Sequence, residues 1–143
     1  MLTQLHGDIT ARSAAIAEAH PDWPCRKGCD GCCRNLGEVP RLTSTEWALL
    51  REGLAALPSA LLDAISLEMA DLGANRPLVC PLLDREAGAC RVYAFRPIAC
   101  RTYGFYVERG IGLYCRDIEA HVDAGAWADV VWGNHGSVER RLA

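Results

Sequence analysis

The sequence predicts a small, mainly α-helical single domain spanning residues 1–143, with an irregular cysteine-rich half and a short β-hairpin. Three observations carry that prediction. The chain's 143 residues are about one ordinary domain, and half of them are apolar, enough to bury a core without staples. Apolar residues recur at helical offsets near the start, from 43 to 72 and from 117 to 133. Between these stretches lie two irregular ones, 21–40 and 77–116, and all eight cysteines fall in them.

Taken in order, Asp8 is placed to cap a first helix that carries Ile9 and Ile16 on one face and stops before Pro21. Residues 21–40 then hold Pro21, Pro24, Gly28, Gly31, Gly37 and Pro40, which predicts a loop with at most a short helical piece. Thr43 with Glu46 three positions on is a capping box, and Trp47, Leu50, Leu54 and Leu57 follow at helical spacing until Pro58. Ser59 restarts the pattern with Leu62, Ile65, Met69 and Leu72, and Gly73 ends it. The two segments read as a helical hairpin whose apolar stripes are core. From 77 to 116 no helical period is sustained; Gly88 and the tripeptide Glu108-Arg109-Gly110 mark turns, and a hairpin is expected within Tyr103 to Tyr114. Asp117 is placed to cap a last helix with Ile118, Val122, Ala126 and Val130 on one face, closed by Gly133-Asn134. No repeat or linker interrupts the chain.

Charge narrows the partners. A net charge of -3 and a pI near 5.8 leave none of the basic footprint that nucleic-acid binding usually leaves. No apolar run reaches the roughly 20 residues of a membrane span, and the first twenty residues lack the basic and apolar regions of a secretion signal. The expectation is a soluble, cytoplasmic protein with neither a nucleic-acid nor a membrane partner. In a reducing compartment, eight cysteines point to metal ligation or redox chemistry rather than to disulfides.

The cysteines form two groups of four: Cys25, Cys29, Cys32 and Cys33, then Cys80, Cys90, Cys100 and Cys115. In the first group a loop leading into a helical turn would let the sulfurs converge and aim backbone N–H groups at them. Arginine follows cysteine at Cys25-Arg26, Cys33-Arg34, Cys90-Arg91, Cys100-Arg101 and Cys115-Arg116, well above what chance placement gives. Guanidinium groups beside thiols favour thiolates and offset the negative charge of a polythiolate site. Soft thiolates suit zinc, copper(I) and iron–sulfur clusters, and four cysteines is a normal complement for zinc or a cluster. The adjacent pair Cys32-Cys33 tilts the choice to an iron–sulfur cluster, since adjacent ligands are best directed to different atoms. The spacing C-x3-C-x2-C-C is neither the bacterial ferredoxin run nor a zinc ribbon, although Cys80-Pro81 echoes the former's ending.

Together, "CRKGCDGCC", "CPLL", "CRVYAFRPIACR" and a further cysteine resemble the YkgJ-like, or CxxCxxCC, zinc- or iron-chelating cysteine-cluster proteins, over roughly residues 25 to 116. The resemblance implies a metal site in which all eight cysteines are candidate ligands. The first gap here holds three residues where the family has two, which sets Cys25 apart. A related cluster in flagellin lysine methylating proteins makes an iron–sulfur role conceivable by analogy.

Other chemistry is less legible. His6, His20, His121 and His135 show no paired-ligand spacing, and a lone histidine such as His135 is more often solvated than functional. Asp84, Glu86, Glu108 and Asp117 form no recognisable acid–base pair, and no nucleophile elbow, phosphate loop or dinucleotide fingerprint occurs. Tyr93, Phe95, Arg96, Pro97 and Arg101 read as groups that shield and neutralise the sulfur site. The function expected is therefore metal binding by a thiolate cluster, with an iron–sulfur redox enzyme or subunit and a thiol–disulfide sensor as alternatives.

Overall fold

The structure, a computed structural model, describes residues 1–142. In chain order its elements are α1 (Leu2–Ala19), α2 (Gly31–Arg34), α3 (Ser44–Ala55), α4 (Ser59–Ala70), β1 (Leu83–Asp84), β2 (Ala89–Cys90), a 3-10 turn (Tyr93–Phe95), α5 (Ile98–Thr102), β3 (Tyr106–Glu108), β4 (Ile111–Leu113), α6 (Arg116–Asp123), β5 (Gly133–Asn134) and α7 (His135–Leu142). About half of the described residues are helical, and the short strands make two small sheets. The chain divides into two compact units: Lys27–Pro97, and Met1–Arg26 with the chain from Ile98 onward.

The unit built from both ends has its core on α1. Leu5, Ile9 and Ile16 are buried along one face and pack with Trp23, Ile98, Phe105, Tyr106, Ile118 and Val138. Fully burying an Ile or Leu side chain is worth about 1.5–3 kcal/mol, so this stripe outweighs the poor helix propensity of Gly7. It also explains why Asp8 is no cap. The helix starts about two turns earlier, Leu5 extends its apolar face, and Asp8 instead pairs with Arg141 at 2.8 Å. The expected hairpin is β3–β4, turning at Arg109-Gly110, and β5 adds to β3 in parallel with Tyr106 opposite Gly133.

The last helical stretch differs from its expectation. Cys115 is the N-cap of α6, in extended conformation, and Asp117 sits in the first turn, where its charge favours the helix dipole without capping. The helix stops at Asp123, because Gly125 enters the left-handed region at φ 85° and turns the chain back. Gly133-Asn134 is thus a strand, not a terminus, and a further helix, α7, follows it.

In the unit Lys27–Pro97 the Thr43–Glu46 capping box forms as expected: Glu46 N–H donates to Thr43 Oγ1 at 3.2 Å, and Thr43 N–H donates back to the Glu46 carboxylate at 2.9 Å. Such a cap is worth about 1 kcal/mol. Leu50 and Ile65 are buried, but Trp47 and Met69, expected in the core, are 46% and 50% exposed. Instead α3 packs on the 3-10 turn, with Gly53 against the ring of Phe95. The predicted loop of 21–40 holds only the four-residue α2, and Gly88 closes the β1–β2 turn.

Candidate metal centre

The thiols fall in both units. Cys29, Cys32, Cys33, Cys80 and Cys90 belong to Lys27–Pro97, whereas Cys25, Cys100 and Cys115 belong to the other unit. Among the described residues none of the eight is in a disulfide; Cys29 is exposed and the rest are half-buried.

Within Lys27–Pro97, three backbone arrangements bring four thiols into one neighbourhood. Cys32 and Cys33 ride on α2. An antiparallel bridge between Leu36 and Leu78, with hydrogen bonds of 2.9 and 2.7 Å, lays the next segment alongside, so that Cys80 N–H donates to Cys33 O at 2.7 Å. From Cys80 the chain turns (Leu83 N–H to Cys80 O, 3.1 Å) into β1, where Leu83 pairs with Cys90 on β2. A side chain fastens the same framework: Arg34 on α2 donates to Arg85 O at 3.0 Å while gripping Asp30.

The sulfurs sense one another and the local amides. The Cys33 thiol donates to Cys32, and this bond holds the Cys32 pKa at about 6 against the opposing effect of burial; the amides of Cys33 and Cys32 and the charge of Arg96 act in the same lowering sense. Burial pushes the Cys80 thiol up; the N–H groups of Leu82 and Leu83 oppose this, while Cys90 and Cys32 add to it. Burial also raises Cys90, opposed by the Val92 N–H and by Arg96. Backbone amides are thus aimed at three sulfurs, an arrangement that stabilises negative charge on them.

Arg96 is the cation that reaches both Cys32 and Cys90. Its guanidinium lies 3.7 Å from the centre of the Tyr93 ring, its Nε donates to Tyr93 O at 2.9 Å, and Lys27 covers the same ring at 5.0 Å. The arginines that follow cysteine in sequence are engaged elsewhere where their partners are seen: Arg34 with Asp30 and Arg91 with Asp84.

In the other unit, Cys25 donates to Tyr103 O at 3.6 Å and packs with Cys115 against the hydrophobic core. Cys115 occupies the N-cap position of α6 without a side-chain cap bond, and Cys100 lies within α5. His135, at the start of α7, has its Nε2 3.5 Å from Glu139, and the His121 ring stacks on Trp127. An open cleft of about 540 Å³ in this unit is lined by Glu108, Arg109, Asn134, Gly136, Glu139 and Arg140, a mixture of both charges. Among the described residues no three His, Cys, Asp or Glu side chains close together as a cage for an ion. The four thiols around Cys32 are neighbours on a shared framework, and their soft donor set is one that zinc and iron accept.

Residues 24–117 match the family model CxxCxxCC, described as "Putative zinc- or iron-chelating domain". The chain belongs to the CxxCxxCC family. The match encloses all eight cysteines, including Cys25 behind its longer first gap. No curated protein and no solved structure matches the chain. For this CxxCxxCC chain, the contribution that sequence reasoning missed is the amide set of Leu82, Leu83 and Val92. Its only signal is positional: each amide lies two or three residues beyond a cysteine. No helix of the described residues is long and apolar enough to cross a membrane.

Proposed function

We propose that the protein binds zinc or iron through its cysteine thiolates, with Cys25, Cys29, Cys32, Cys33, Cys80, Cys90, Cys100 and Cys115 as the ligand pool and an iron–sulfur cluster as the favoured form. The observation that carries this reading is the grouping of Cys32, Cys33, Cys80 and Cys90 with backbone amides aimed at three of their sulfurs. Within the CxxCxxCC family this fits the YkgJ-like kind, acting as one metal-binding domain, and cysteines outside disulfides fit a cytoplasmic setting. The adjacent Cys32-Cys33 pair favours a cluster over a single ion, because two metal atoms can each take one sulfur.

The test is the content of iron, zinc and acid-labile sulfide per chain after purification without oxygen and without a metal affinity step. Iron with matching sulfide and a visible charge-transfer band supports the cluster. Zinc without sulfide supports a zinc site, and a chain free of all metals overturns the proposal. Removing the metal with a chelator is expected to lower the melting temperature, since site assembly and folding are linked. A thiol–disulfide sensor is the second reading, favoured by the lowered pKa of Cys32.

A further inference from the structure

We propose that the cleft between the β3–β4 turn and α7 binds a small zwitterion, of the class of free amino acids and short unblocked peptides, with its carboxylate held by Arg109 and Arg140 and its ammonium by Glu108 and Glu139. No cysteine lines this cleft, and its chemistry is independent of the metal-binding function.

Each wall of the cleft brings one cation and one anion. The first wall is the hairpin: Glu108 ends β3, which pairs with β4 and with β5, and Arg109 opens the turn. The second is α7, where Gly136, Glu139 and Arg140 stand at i, i+3 and i+4 and so share a face. The helix is fixed in place by the burial of Val138 and by the 2.8 Å pair of Arg141 with Asp8 of α1. Asn134, on β5, accepts from the Ser137 N–H at 3.3 Å, which holds its side chain at the start of the helix. A Cβ added at Gly136 would lie 3.3 Å from Asn134 Oδ1 and 3.6 Å from Arg140 Nη1, so the missing side chain keeps the cleft open beside the guanidinium.

These charges share one cleft without neutralising one another. Among the described residues Glu108, Arg109 and Arg140 make no ion pair, and Glu139 reaches only His135 Nε2, at 3.5 Å. Two guanidiniums and two carboxylates sum to no net charge, which favours neither a bare anion nor a bare cation; a molecule of both signs satisfies both walls at once. Guanidiniums take carboxylates in bidentate pairs, and carboxylates accept from ammonium in charge-assisted hydrogen bonds. Arg109 also stands where its backbone disfavours it: its φ of 51° is in the left-handed region, where a hairpin turn prefers Asn, Asp or Gly. What arginine adds at that position is a guanidinium in the cleft. The volume of about 540 Å³ accommodates a short peptide and falls within the roughly 300–1,000 Å³ of small-ligand sites.

The experiment is a titration of the isotope-labelled full chain with triglycine, followed by amide chemical shifts in NMR, with N-acetyl-triglycine amide and inorganic phosphate as parallel probes. Triglycine is expected to shift the amides of Arg109, Gly136 and Arg140 saturably, with a Kd of about 1 mM, and the doubly blocked peptide to bind at least about tenfold more weakly. Arg109→Gln and Glu139→Gln are each expected to weaken triglycine by about fivefold or more. If Arg109→Gln fails to fold by circular dichroism, Arg140→Gln takes its place. Absence of a saturable shift, equal binding of the blocked peptide, or affinity unchanged in both variants overturns the site. Phosphate binding at the same amides more tightly than triglycine overturns it in favour of an anion site. Metal content is read separately, so each of these results leaves the metal-binding function standing or falling by its own test.

Discussion

The Cys33 thiol donates a hydrogen bond to the sulfur of Cys32, its immediate neighbour in the chain. Adjacent side chains usually diverge, on a helix as elsewhere, yet on α2 these two thiols meet. It leaves Cys32 with a pKa of about 6 beside two thiols, Cys80 and Cys90, that burial raises above the ordinary value.

That asymmetry sets the order of reactivity in the metal-free protein. Cys32 is expected to alkylate first, with a rate that rises through a midpoint near pH 6, while Cys80 and Cys90, whose thiols burial raises above 9.0, react more slowly. The linked stability has a defined sign: because the folded pKa is depressed, the contribution is complete above 9.0 and is lost as the pH falls through about 6. Cys33→Ala should move the Cys32 midpoint upward by about one pH unit or more, measured by mass spectrometry of iodoacetamide adducts. An unmoved midpoint would show that the Cys33 hydrogen bond does not set it.

Arg96 acts on two thiols from one anchored position. Arg96→Gln keeps a polar side chain but removes the charge, and is expected to raise the alkylation midpoint of Cys32 and slow Cys90 further. Arg91→Gln, whose guanidinium faces Asp84, is the matched control and should leave both thiols unchanged. Equal effects from the two variants would show that net charge, not the placement of Arg96 on Tyr93, governs the thiols.

Gly104 allows Cys25 its position. Its φ of 97° lies in the left-handed region, and a Cβ there would stand 2.5 Å from Cys25 Sγ. Gly104→Ala therefore combines backbone strain with overpacking, each about 1–3 kcal/mol, and should lower stability by about 3 kcal/mol in urea unfolding. The double variant Gly104→Ala/Cys25→Ala should recover part of that loss. No recovery would mean that backbone strain alone accounts for it.

Asp84 accepts from the backbone N–H of Ala87 and Glu86 and lies 3.5 Å from Arg91, and its carboxyl is held below the ordinary 3.8, chiefly by the Ala87 amide. Its contribution is present above that value and is lost as the pH falls through the depressed one. Asp84→Asn should flatten the melting-temperature profile below about pH 4, relative to wild type. A profile of unchanged slope would rule out a role for this turn in acid stability.

How much of this was legible depended on the range of the physics involved. The Thr43–Glu46 box, the break at Pro58 and the turns at Gly88 and Arg109-Gly110 are local, and the sequence shows them directly. Asp8 misled because a polar residue at a plausible cap position was outweighed by Leu5 burying one turn earlier. The helix α7 escaped notice because Val138 and Leu142 are the only apolar residues in His135–Leu142, too few to establish a period. Trp47 and Met69 kept helical spacing without the burial that spacing usually implies. The eight cysteines announced a soft-metal family, but not which belong together: Cys33 meets Cys80 only through the Leu36–Leu78 bridge, and no local pattern encodes that pairing.

The discontinuity of one unit has a consequence for the protein as it is made. Lys27–Pro97 is a single uninterrupted stretch, whereas Met1–Arg26 must await the chain from Ile98 onward to complete its core. Translation proceeds at about 5–20 residues per second, and segments that are whole can fold as they emerge. On the ribosome, therefore, Cys32, Cys33, Cys80 and Cys90 are all present while α1 still lacks its packing partners. The stretch that carries these four thiols can therefore compact before the core around α1 is complete.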